Sequence, residues 1–201
     1  MTAKTNNNKI KRSQEFKDWF LNSKVVDDHG QPMVVYHSTN AEFSVFSKTA
    51  DIGFHFGTAD QAQRRAQKQG NDRTLPVYLS IQNPIEMPDL GDWDFWRFTE
   101  DGMYSSYEEL PNGNLRRVFS EKEVEEVAEK LSEMPDEETA WEWMRQLFES
   151  KGFDGIKYQN VGETENEEAG DYSYIAFRPN QIKSAIGLRR QYDRNSADFT
   201  I

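Results

Sequence analysis

Val34-Val35-Tyr36-His37-Ser38-Thr39 is an apolar, β-branched run that ends in a histidine and two hydroxyl residues. Its composition predicts a strand over 33–37 that delivers His37, Ser38 and Thr39 to its end. Ile52-Gly53-Phe54-His55-Phe56 repeats the design: a short strand with a glycine, two aromatics and a second histidine. The chain has 3 histidines, and these two segments hold two of them. A strand-end His-Ser-Thr beside an aromatic strand can hold a nucleotide rather than merely fill a core.

Alternation along the second segment sends Phe54 and Phe56 to one face and His55 to the other. The phenylalanines then belong to a core, and His55 presents a planar ring for stacking. Gly53 leaves room for another backbone or a ligand to approach. Each segment read alone fits an ordinary strand with a satisfied histidine at least as well.

Working outward from these strands, Ser13 caps a helix whose Phe16, Trp19 and Phe20 share one face. That helix stops near Asn22-Ser23. Asp27-Asp28-His29-Gly30-Gln31-Pro32 is a turn, with Val25-Val26 before it as a short strand that makes a hairpin. Thr58-Ala59-Asp60-Gln61 has the pattern of a capping box and opens a polar helix to about residue 69. A strand is expected over 75–81, ending at Asn83-Pro84.

Residues 87–119 are punctuated by Pro88, Gly91, Gly102, Pro111 and Gly113, yet carry Trp93, Phe95, Trp96, Phe98, Tyr104 and Tyr107. They read as an insert folded over the domain in the manner of a lid. Ser120-Glu121-Lys122-Glu123 is a capping box for a helix with Val124, Val127, Ala128 and Leu131 on its apolar face. Pro135 ends it. Asp136 caps the next helix, in which Ala140, Trp141, Met144, Leu147 and Phe148 face one way, and Gly152 closes it. Strands follow over 153–158 and 172–177, separated by an acidic loop over 162–170. Arg178-Pro179-Asn180 is a turn, and residues 181–186 form a last strand or short helix. Helices and strands mix without regular βαβ alternation, so the fold class is α+β.

The domain expected is single, over 12–190, with 88–150 as a variable aromatic and helical insert. Residues 1–11 read as a disordered lead-in, and 191–201 as a frayed tail. A net charge of −11 argues against general binding to nucleic acid backbones. Small basic clusters remain, at Arg64, Arg65 and Lys68 and at Arg189, Arg190 and Arg194. With no cysteine, disulfides, thiolate metal sites and cysteine nucleophiles are excluded. No apolar run is long enough to cross a bilayer, so the expected location is the cytoplasm of the producing or host cell, as a monomer. No HExxH pair, Walker loop, GxGxxG or GxSxG elbow occurs, and no metal site is expected.

The third segment of interest is Asp171-Tyr172-Ser173-Tyr174-Ile175. Asp171 and Ser173 share a strand face, and Glu163, Glu165, Glu167 and Glu168 precede them in the acidic loop. A carboxylate here can stabilise a developing cation or orient a nucleophile. Taken in order, Tyr36-His37-Ser38-Thr39, Gly53-Phe54-His55-Phe56 and Asp171-Tyr172-Ser173-Tyr174-Ile175 resemble the His-Tyr-Glu class of ADP-ribosyltransferases, which includes diphtheria-type toxins and poly-ADP-ribose polymerases. The wording is most similar to the ADP-ribosyltransferase-like domains of phage and mobile-element polyvalent proteins. Matching blocks run from Phe16-Lys17-Asp18-Trp19-Phe20 to Gln181-Ile182-Lys183-Ser184-Ala185 and leave out about 88–150.

The resemblance implies an ADP-ribosyltransferase fold with two small antiparallel sheets flanked by helices, and NAD as co-substrate in the cleft between the sheets. It implies cleavage of the nicotinamide–ribose bond and passage of ADP-ribose to a macromolecular acceptor, a host protein or a nucleic acid. His37 is implied to bond ribose hydroxyls on the adenine or the nicotinamide side. The Ser38 backbone is implied to hold the carboxamide, with Thr39 in support. Gly53, Phe54, His55 and Phe56 complete the NAD-binding set, with His55 where the family's stacking Tyr stands. Ser173 falls where active polymerases carry the catalytic Glu, and Ser38 where a Gly is usual. A serine cannot supply negative charge to a cationic transition state, so Asp171, Glu167 or Glu168 is expected to stand in. The catalytic set is therefore His37, Asp171 and Ser173. The leading reading is a mono-ADP-ribosyltransferase of a phage or mobile-element effector type. A degenerate binding module is the runner-up, and an NAD glycohydrolase the third.

Overall fold

The computed structural model describes residues 13–47, 51–162, 171–186 and 192–200. The expected lead-in over 1–11 and the glutamates of the acidic loop, Glu163 to Glu168, lie outside them, as do Arg189 and Arg190.

The first helix, α1 (Gln14–Phe20), starts where the Ser13 hydroxyl accepts the Phe16 amide at 3.2 Å. Its Phe16, Trp19 and Phe20 are buried. The expected hairpin after it is reduced to one bridge between Val26 and Pro32. Then come β1 (Val35–Thr39), β2 (Phe54–Phe56), α2 (Ala59–Gln69), β3 (Arg73–Leu79) and β4 (Pro84–Met87). Both sides of the capping box at Thr58 and Gln61 are made.

β1 forms the edge of a three-stranded antiparallel sheet in the order β1, β3, β9, where β9 is Ile182–Ser184. The second sheet has six strands among the described residues. Its order is β2, β8 (Tyr172–Ala176), β7 (Gly155–Gln159), β4, β5 (Tyr107–Glu109) and β6 (Leu115–Arg117). The expected two antiparallel-rich sheets are present, and within the larger one β4 and β7 run parallel. The reason is topological. A parallel pair needs a long crossover connection, and the segment between β4 and β7 is that crossover. The α+β class holds, with helices flanking two sheets.

The same fact corrects the reading of 88–119 as a lid. Trp93, Phe98, Met103 and Phe119 are buried in one core with Ile85, Ile156 and Ile175 of the large sheet and with Phe177 just after it. α3 (Phe95–Arg97) runs into a π-helical turn over Phe98–Met103, and β5 and β6 extend the sheet beyond β4. The helices α4 (Glu121–Ser132) and α5 (Glu137–Ser150) add Val124, Val127, Trp141, Met144 and Phe148 to the same core. At about 1.5–3 kcal/mol for each fully buried large apolar side chain, this segment is a main source of stability. Gly152 closes α5 with a φ of +92°, as the left-handed turn after a helix favours. Arg178, just past β8, makes forked bonds to Glu142 and Glu149 of α5, at 2.7 to 3.0 Å.

The stretch 192–200 does not fray as expected. Tyr192 packs edge-on against Phe16 with ring centroids 4.8 Å apart, and Phe199 is buried in the core under the small sheet. Lys183 is fully buried and donates to the carbonyls of Ser196 and Asp198, at 3.0 and 2.6 Å. An apolar residue at that position could not make these bonds, so the lysine ties the last residues to β9.

Candidate functional site

The open edges of the two sheets, β1 and β2, face each other. They are stitched at one end, where the Tyr36 amide donates to the Gly57 carbonyl at 2.8 Å and the Gly57 amide donates back at 3.1 Å. Beyond this bridge lies a cavity of about 500 Å³. His37, Ser38, Thr39, Gly53, Phe54, His55, Phe56 and Ser173 all line it. Three segments far apart in sequence are thus brought together. Asp171 does not join them: it is exposed and outside the cavity wall, and its carbonyl accepts from Gln61 Nε2 and the Asn160 amide.

Backbone groups of a β-strand alternate in direction. Because the Tyr36 amide and carbonyl point to β2, those of Ser38 point the same way, into the cleft. The Ser38 hydroxyl turns elsewhere and accepts from Asn71 Nδ2 at 2.9 Å. Thr39 Oγ1 accepts the Ala41 amide at 3.1 Å, which shapes the chain as it leaves β1.

His37 Nδ1 lies 2.9 Å from the His55 carbonyl. A carbonyl only accepts, so Nδ1 carries the proton and, in the neutral ring, Nε2 is an acceptor. Burial pushes His37 below its ordinary value of 6.5. The bond to the His55 carbonyl opposes this, and the charges of His55 and Arg65 add to it. His37 is therefore neutral at pH 7, packed between Phe46 and Phe56 at 5.2 and 5.5 Å.

The second strand divides its residues as alternation requires. Phe54 and Phe56 enter the small-sheet core, and His55 points away from it. Gly53 answers to packing: a Cβ there would meet the Ala176 carbonyl oxygen at 2.5 Å and Ile175 Cγ2 at 2.7 Å. The close approach is that of β8, not of a ligand. His55 is 13 % exposed, edge-on to Trp93 and Tyr158 at 5.4 and 6.5 Å. Its Nε2 sits 3.1 Å from both carboxylate oxygens of Asp51. Its Nδ1 is buried with no hydrogen-bond partner among the described residues.

Asp51 was not singled out by the sequence reading. It lines the cavity and is the one carboxylate among the described lining residues. Burial acts to raise its pKa, but His55, the Gly53 amide and Arg65 outweigh burial and hold it below the ordinary carboxylate value. The pattern Asp51-Ile52-Gly53 is a readable Asx-turn signal, and Asp51 lies four residues before His55. Arg65, from the basic cluster on α2, also lines the cavity, whereas Arg64 and Lys68 do not.

Ser173 is 2 % exposed. Its hydroxyl donates to Gln61 Oε1 at 3.1 Å and accepts from Asn160 Nδ2 at 3.0 Å. Gln61 thus does two jobs, capping α2 and fixing β8. Ser173 is committed to structure and carries no charge.

Among the described residues, no helix is long and apolar enough to cross a membrane. No curated protein and no solved structure matches the chain. One family profile does: that of the ADP-ribosyltransferase in polyvalent proteins, over residues 27–191. The match takes in the strand-end histidine, the aromatic strand, the crossover segment and the Ser173 strand, and so the chain belongs to the ADP-ribosyltransferase family of polyvalent proteins.

Proposed function

We propose that the protein is an NAD-dependent mono-ADP-ribosyltransferase that modifies a macromolecule, a host protein or a nucleic acid. Its setting is the cytoplasm of a cell that carries or receives a phage or mobile element, and it acts as a monomer. The observation that carries this reading is the cleft between β1 and β2, where an open strand edge, a neutral histidine, a carboxylate and an arginine converge in about 500 Å³. That volume is typical of a small-molecule site.

The residues present fit a nicotinamide dinucleotide. The Ser38 amide and carbonyl face the cleft as a donor–acceptor pair, which matches a carboxamide. His37 Nε2, an acceptor in the neutral ring, suits a ribose hydroxyl donor. Arg65 brings positive charge to the side of the cleft near Asp51 and His37, which suits the pyrophosphate. NAD, when bound, supplies a ribose whose bond to nicotinamide breaks with positive charge on the sugar. The chain's own residues orient that sugar, exclude water through Phe46, Phe54 and Phe56, and set negative charge beside it.

A binding module without transfer is the second reading, favoured by Ser173, which has no charge and no spare hydrogen-bonding role. One experiment separates the two. The protein is incubated with NAD and a cell lysate, and both ADP-ribose mass adducts and free nicotinamide are measured. Adducts are expected. Nicotinamide without adducts would mean hydrolysis, and NAD binding with neither product would overturn the transferase reading.

A further inference from the structure

We propose that Asp51 is the carboxylate that faces the reacting ribose, and that His55 is its positioning residue. The inference rests on the transferase reading above and names the group that reading lacks on β8.

Four observations carry it. Asp51 is the one carboxylate among the described residues of the cavity wall, and its side chain is 15 % exposed, so it is sheltered but reachable. Its direction is fixed: Oδ1 accepts the Gly53 amide at 3.1 Å, and both oxygens lie 3.1 Å from His55 Nε2. The backbone that bears it is pinned from α5, since Arg145 Nη1 donates to the carbonyls of Asp51 and Ile52, at 3.2 and 3.1 Å. Finally, the hydrogen bonding of the His55 side chain is spent on Asp51 alone. Its Nδ1 is left buried without a partner among the described residues while Trp93 and Tyr158 hold the ring. A buried nitrogen without a partner is unfavourable, a penalty the fold tolerates where the ring's aim matters.

In the step assigned to this site, the bond between the ribose carbon and the nicotinamide nitrogen breaks. Both electrons go to the nitrogen, which loses its pyridinium charge. The ribose carbon gains a bond to a hydroxyl or amine of the acceptor, whose proton passes to water. Between these events the sugar carries positive charge, and an ionised carboxylate aimed at it lowers the barrier. The geometry moves the family's carboxylate from β8 to the turn before β2, on the same cleft. His55 serves that carboxylate, and with so little of its ring exposed it is not a stacking platform.

The test is Asp51→Asn, which keeps the size of the side chain. Nicotinamide release in a single turnover should fall by about 10²–10³-fold, with NAD affinity by calorimetry within a few-fold of the parent. Asp51→Ala should be slow and partly restored by added formate, a rescue that a purely structural role would not give. His55→Phe should lower the rate with little change in KM, and His55→Gln, which keeps a donor, should recover part of it. Parent-like turnover in Asp51→Asn overturns this inference and leaves the transferase reading standing. Loss of NAD binding in that variant also overturns it, by placing Asp51 in binding. A parent protein that neither binds nor cleaves NAD overturns both.

Discussion

Replacing Ser173 with alanine separates structure from chemistry at the position where the resemblance to His-Tyr-Glu transferases implies a glutamate. The Ser173 hydroxyl joins Gln61 and Asn160, all three buried. In Ser173→Ala, Gln61 Oε1 keeps the Thr58 amide at 2.8 Å, so it still has a donor. Asn160 Nδ2 loses an acceptor inside the protein. Losing these two buried hydrogen bonds costs about 0.5–1.5 kcal/mol each. The missing oxygen leaves a void too small to add much. A loss of about 2 kcal/mol, divided by a denaturant slope of about 2 kcal/mol/M, lowers the urea midpoint by about 1 M. Turnover should respond differently. The hydroxyl carries no charge and gives its proton to Gln61, so nicotinamide release should stay within about tenfold of the parent, or 1.4 kcal/mol in the barrier. Equilibrium urea unfolding by fluorescence and a nicotinamide assay on the same samples decide the matter. An unchanged midpoint with a hundredfold loss of turnover would refute the reasoning and make Ser173 a catalytic group.

Gly53→Ala should destabilise the protein by about 1–3 kcal/mol, because its Cβ meets the Ala176 carbonyl as well as the Ile175 side chain; thermal unfolding checks this, and an unchanged melting temperature would mean that β8 yields. Stability should fall on acidification from pH 7.5 to 5.5. The unfolded chain protonates His37 near its ordinary value of 6.5, whereas the folded chain takes up that proton only at lower pH. The unfolded state thus binds more protons, and stability is lost as pH falls. The loss should be smaller in His37→Asn by urea titration at the two pH values, and equal losses would remove His37 as the cause.

Much of this fold was legible in the sequence because its signals are local. Ser13, Thr58, Ser120 and Asp136 announce helix starts through bonds within the next three residues, and all four caps form. The alternation that parts Phe54 and Phe56 from His55 is equally local. What was missed depends on pairing. Nothing in Pro84-Ile85-Glu86-Met87 says that β4 will lie parallel to β7, so the aromatic segment between them read as a cover rather than as the crossover that fills the core. Tyr192 and Phe199 looked like a tail because their partners, Phe16 and Phe46, are far back in the chain.

The candidate site divides in the same way. His37, Ser38 and Thr39 were readable from strand and order, and they do line the cleft. Asp51 was not, because its meaning comes from a histidine ring turned back onto it and from Arg145 on a distant helix. Asp171 shares the strand parity of Ser173 but lies beyond the last paired residue of β8, where the chain is exposed. Parity alone does not place a side chain in a cavity.

The most direct measurement is NAD binding by calorimetry on the parent protein and on His37→Ala. The parent should bind, and the variant should lose binding altogether, since it removes the acceptor that Nε2 offers to ribose and the contact that closes β1 onto the His55 carbonyl. Equal affinity in the two proteins, with the variant folded, would contradict the assignment of the β1–β2 cleft as the NAD site.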